Sequence, residues 1–263
     1  MAGRVSAVKR RLALLLTLPL LASCSVGDVA SALGPRPNSQ VAELADRAAS
    51  DAAALDGAAA ELRARHAAEL AAEITRLCGT HADGTVPESC AFQTEVTELP
   101  EADVDDSLLL SLDTAVPEES RALVIRQAVD LAELEERDLP ADAQVSDSRD
   151  IDAARDLLRR EYAAAWGLGL ARAYLSPARG AEIDEFLDAH DERILALREV
   201  LAPHGEVPVA EAGYELAGGT APADEALVAS LQEELRQVWL NAAVQAHDTP
   251  WREFAVYGTA SIN

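Results

Sequence analysis

Lysine is all but absent from this chain: Lys9 is the only one. Arginine does not make up the deficit, since 22 basic residues face 46 acidic ones and the formal net charge is −24. A surface of that sign repels phosphate backbones and excludes nucleic acid as a partner. It also repels anionic lipid headgroups, which excludes adhesion to a membrane through a basic patch. Long apolar runs are lacking too. The run at residues 12–21 is about ten residues long and is broken by Pro19, whereas a bilayer-spanning helix needs roughly 20. The sequence has no Gly-rich phosphate loop, no redox Cys-x-x-Cys, no Ser–His–Asp spacing and no useful length of strand-like alternation. Nothing here announces a familiar enzyme.

Cysteine is scarce, and the three positions are informative. Before Cys24 come Arg4, Lys9, Arg10 and Arg11, then the apolar run, then the small residues Ala22 and Ser23. That order is the order of an export signal. The tetrapeptide Leu21-Ala22-Ser23-Cys24 resembles the bacterial lipobox, in which the cysteine sulfur takes a diacylglyceryl group and the residue becomes an acylated N-terminus. A thiolate suits this chemistry because it attacks carbon far better than a hydroxyl does. The competing reading is an ordinary signal peptide (residues 1–23) with a cysteine just past its cleavage site. Losing those 23 residues removes four basic and no acidic side chains, leaving 18 against 46, or −28. The expectation is an exported protein on the outer face of the cell membrane, attached only through a lipid on Cys24.

Cys78 and Cys90 flank "GTHADGTVPES", a short Gly- and Pro-containing stretch. In an exported protein such a pair reads as a disulfide, and closing a loop of this size stabilises by roughly 3 kcal/mol. His81 between them admits a metal reading, but three soft ligands at this spacing match no zinc motif.

Residues 24–38 are rich in Gly, Pro and Ser and read as a flexible tether. From Ser39 to Leu77 apolar side chains recur at helical spacing, with Asn38 or Ser39 as the cap. Gly57 in the middle either breaks this stretch into a hairpin or weakens one long helix. Residues 91–116 are acidic and Pro-interrupted, and read as a loop. Helical pattern resumes at Pro117, a good first helical residue, with Glu118 and Glu119 suited to the opening turn, and stops near Pro140. A polar linker follows, with Ser148 or Asp150 as the next cap. Four helical segments then cover roughly 149–175, 179–201, 222–247 and 250–260. The expected organisation is an N-terminal helical region at 39–140 and a helical bundle at 149–263, all-α throughout. Short, long and short connections in the second part suit a four-helix bundle with one crossover.

Four stretches in that part, "EYAAAWGLGLARAYL", "DAHDERILALREVL", "EVPVAEAGYEL" and "LQEELRQVWLNAA", carry a resemblance. In this order they resemble a ferritin-like domain of unknown function found in exported proteins of high-GC Gram-positive bacteria. The resemblance implies a ferritin-like four-helix bundle and leaves activity open, because the family's biochemical role is not established.

Ferritin-like bundles often hold two metal ions with a Glu from two helices and a Glu-x-x-His from the other two. Glu161 lies on the stripe of Leu157, Leu158, Ala164 and Leu168. His190 lies on that of Ile183, Phe186, Leu187, Ile194 and Leu197, and Glu234 borders that of Leu227, Leu231, Leu235 and Val238. Buried ionisable groups persist only when they meet partners, so these three are expected to converge as a core polar cluster. Yet Ala164 follows Glu161 by three residues, and the bundle contains no Glu-x-x-His. Trp166 and Trp239 read as core anchors.

Two function classes follow. One is a lipid-anchored envelope protein whose helical, non-catalytic body binds a protein partner or ligand, without a cofactor. The other is a ferritin-like metal binder or oxidoreductase using iron or manganese at Glu161, His190 and Glu234.

Overall fold

A computed structural model describes residues 34–99, 102–134, 139–141, 143–215 and 224–262. Cys24, the signal segment and most of the tether lie outside the described residues. Among the described residues the regular structure is helical, in eight α-helices and two short 3₁₀ turns. None of these helices is long and apolar enough to cross a membrane.

The first long helical stretch is a hairpin. Helix α1 (Ser39–Ala54) begins where Asn38 Oδ1 accepts a hydrogen bond from Val41 N at 3.0 Å. It stops at Leu55, and α2 (Gly57–Cys78) starts on Gly57 at φ 62°. That left-handed backbone is cheap only for glycine, so Gly57 is the hinge at which the chain turns back. Val41, Leu44, Ala45 and Ala48 of α1 pack with Ala67, Leu70 and Ile74 of α2 in one apolar cluster. Alanines on both sides let the backbones approach closely.

Cys78, the last residue of α2, forms a disulfide with Cys90, their Cα atoms 6.2 Å apart. His81 is exposed in the intervening turn, its backbone N–H donating to Thr85 O at 2.8 Å. With both sulfurs in the bond, no thiolate faces His81.

Residues 91–116 are not simply a loop. Helix α3 (Val104–Asp113) begins at Asp103, whose carboxylate accepts from Asp105 N at 2.9 Å. Asp105 and Asp106 in the first turn offset the positive helix end, and Leu108 and Leu112, one turn apart, are buried. The acidic run that suggests a loop is the helix's N-terminal charge. Helix α4 (Glu118–Ala132) starts directly after Pro117 and ends well before Pro140.

Four further helices follow among the described residues: α5 (Ser148–Arg172), α6 (Pro177–Leu201), α7 (Glu225–Gln245) and α8 (Thr249–Ala260). Asp147, rather than Ser148 or Asp150, caps α5 by accepting from Arg149 N at 2.8 Å. Helix α5 packs on α6 and α7, α7 on α8, and α4 on both α7 and α8. One hydrophobic cluster therefore runs through Leu108, Ile125 and Leu131 as well as Leu157, Leu197, Trp239 and Phe254. The polar linker before α5 does not divide the core. Trp239 is fully buried beside Phe254, ring centroids 5.8 Å apart. Gly258 of α8 lies so close that a Cβ there would stand 2.2 Å from the Trp239 ring, far inside contact distance. Trp166, by contrast, is 36% exposed and packs against Tyr214 of the crossing segment, so it is not a core anchor.

The disulfide closes a separation of 12 residues, and its loss restores that loop's freedom to the unfolded chain. The Cys78→Ser/Cys90→Ser double variant should lose about 3 kcal/mol of stability in denaturant titration. An unchanged midpoint would contradict the assignment.

Candidate functional site: a buried carboxylate among three helices

Glu161 projects from α5 into the bundle centre with no exposed surface. One carboxylate oxygen, Oε1, accepts from Arg193 Nε and from Trp239 Nε1, each at 2.7 Å. The other, Oε2, accepts from His190 Nδ1 at 2.5 Å. Beyond these, His190 Nε2 faces Gln232 Oε1 at 3.2 Å. Arg193 Nη1 donates to Ser261 Oγ at 3.3 Å, just past α8. His190 and Arg193 lie three apart on α6, hence on one face, and both are buried. One anion thus ties α5 to α6 and α7, and through Arg193 to the end of α8.

Burial, the strongest single influence on Glu161, works to raise its carboxyl. The His190 hydrogen bond, the Arg193 and His190 charges and the Arg193 hydrogen bond together outweigh it and hold the carboxyl below its ordinary value. A group depressed on folding adds stability above its unfolded pKa and loses it as the pH falls through the folded value.

The cluster does not fit a metal centre. Both Glu161 oxygens are engaged by N–H donors, and a cation placed on either would meet the Arg193 guanidinium or the donating His190 Nδ1–H. A carboxylate with a guanidinium at 2.7 Å is already neutralised. Glu234 stands apart. Its side chain is 63% exposed and its Oε1 is 3.3 Å from Arg160 Nη1 at the surface. The inward face of α7 is set by Leu235 and Trp239; Glu234, about 100° round the helix from Leu235, points outward.

A second buried node, not singled out in the sequence, joins the first four helices. Asp51, on α1, accepts from Arg47 Nε at 2.8 Å, Arg63 Nε at 2.8 Å and Ser107 Oγ at 2.5 Å. Arg63 Nη1 lies 3.1 Å from His66 Nδ1, and His66 Nε2 lies 3.1 Å from Asp130 on α4. A guanidinium can only donate, so Nδ1 accepts and the ring proton sits on Nε2, donating to Asp130.

One atom each from Asp147, Asp150 and His247 lie within 4.8 Å of one another, a separation that could suit a metal ion. Their present bonds are caps. Asp150 accepts from His247 N at 2.9 Å and Asp248 N at 2.8 Å, while Asp248 accepts from Ser146 N at 2.6 Å and Asp147 N at 2.8 Å. Arg149 bonds the Asp147 carboxylate and holds its carboxyl well below the usual range. Two positive helix ends and a guanidinium already offset much of this negative charge.

Residues 153–261 match a family model described as Domain of unknown function (DUF4439). Comparison with curated proteins and with solved structures gives no match. Glu161, His190, Arg193, Gln232, Trp239 and Ser261 all fall inside the DUF4439 stretch. The hairpin, α3, α4 and the Asp51 node lie outside it.

Acid should therefore weaken the fold through Glu161. Stability measured by urea titration should hold above the ordinary glutamate value of 4.5 and fall as the pH drops below it. Glu161→Gln should be less stable at neutral pH and should lose part of that acid dependence. An identical pH profile in wild type and variant would refute the assignment.

Proposed function

We propose that the chain is an exported lipoprotein of the cell envelope, held at the outer face of the cell membrane by a lipid on Cys24. Its helical body acts as a non-catalytic module that binds another protein. The observation that supports the non-catalytic reading is the filled shell of Glu161: three N–H donors occupy both oxygens where a bundle enzyme would need open ligand positions. The ordered signal features and Cys24 support the first part, as does a charge that cannot adhere to anionic lipid.

The same proposal takes α5–α8 as a ferritin-like bundle whose central site has become structural. A short α5–α6 connection, a long α6–α7 connection and a short α7–α8 connection support that reading. The burial of the Arg193–Glu161–His190 cluster among these helices supports the same reading.

Full chain purified from the membrane fraction should contain far less than one iron or manganese atom per molecule by elemental analysis. Cys24→Ala should appear in the soluble or uncleaved fraction without bound lipid. Stoichiometric metal that disappears in His190→Ala would overturn the non-catalytic reading, and a lipid-labelled Cys24→Ala protein would overturn the anchor.

A further inference from the structure

The outer side of α6 carries a groove that the bundle does not use. It has a volume of about 370 Å³ and is lined by residues of α6 and by described residues of the segment that leads into α5. Its floor is apolar, built from Leu139, Ala143, Ala196 and Val200, and Leu195 stands at its edge 58% exposed. An exposed leucine beside an apolar concavity marks a surface that gains by being covered.

The charged side chains lining this groove are Glu192 and Glu199, both exposed and both acidic. No basic side chain is among its described lining residues. The two carboxylates are seven residues apart, about 10 Å along α6, with Leu195 and Ala196 between them. Asp188, one turn before Glu192, extends the same stripe. The pattern is acid, acid, apolar pair, acid along one helical face. Some surface carboxylates, such as Asp184 and Glu133, pair with an arginine, here Arg172 and Arg236. Glu192 and Glu199 have no such ion pair among the described residues.

We propose that this groove docks a basic amphipathic helix of a partner protein. The partner's apolar residues, at a spacing of three and four, cover Leu195 and the floor. Its lysines or arginines, two turns apart, pair with Glu192 and Glu199. The helix-in-groove mode supplies the apolar term, while complementary charge sets orientation and speeds encounter. The inference rests on reading the body as a protein-binding module and adds the face and the partner's chemistry.

The test uses the full chain and three synthetic helical peptides. One has a leucine stripe flanked by lysines, one has glutamates for the lysines, and one has serines for the leucines. The leucine–lysine peptide should bind, with amide shifts in NMR confined to residues 139–144 and 188–200, and the other two should not. Leu195→Ser should weaken it about tenfold, and Glu192→Lys/Glu199→Lys should abolish it and admit the leucine–glutamate peptide. These are surface positions, so the variants should keep the wild-type urea midpoint. Equal binding to the charge-reversed variant, shifts elsewhere on the body, or no binding of the leucine–lysine peptide would each overturn the groove. Shifts elsewhere would leave the binding-module reading standing, whereas stoichiometric metal would remove that reading itself.

Discussion

A carboxylate buried without water must be matched by donors or it will not stay charged. Glu161 meets that demand with His190 and Arg193 from α6 and the Trp239 indole from α7. The constraint reaches outward from there. Trp239 must lie in one orientation to donate, which places its ring against Gly258 and Phe254 and so fixes α8. Arg193 reaches Ser261 at the far end of α8. An apolar core of the same helices could slide by fractions of a turn, but these directional bonds permit one register.

The N-terminal half obeys the same logic with other residues. Asp51 is matched by Arg47, Arg63 and Ser107, and the network continues through His66 to Asp130. Each node has a buried acid on one helix and an Arg and a His three residues apart on the next, Arg63 with His66 and His190 with Arg193. Alanine-rich interfaces bury little area per turn, so such nodes supply directional bonds that small side chains cannot.

Helical content was legible because alanine and leucine recur at the helical period through most of the chain. Helix α3 was hidden because its capping acids look like loop composition. Helical phase alone puts Glu161 and His190 on inward stripes, and the two side chains meet. Phase misled at Glu234, where one residue's rotation separates the core-facing Leu235 from an exposed neighbour. Arg193 and Arg63 were missed for a different reason. Arginine is exposed by default, and only a partner acid distant in sequence shows that one is buried. The Asp51 node was illegible on the same ground, since its members are spread from Arg47 to Asp130.

The central claim is that Glu161 serves the fold by holding Arg193, and a double-mutant cycle measures that coupling directly. Urea titration should find Glu161→Leu severely destabilised, by about 3–5 kcal/mol, because Arg193 is left buried and unpaired. Adding Arg193→Met should restore much of that loss, making the double variant more stable than Glu161→Leu alone. Strictly additive losses would mean that the two side chains do not depend on each other, and would contradict the account.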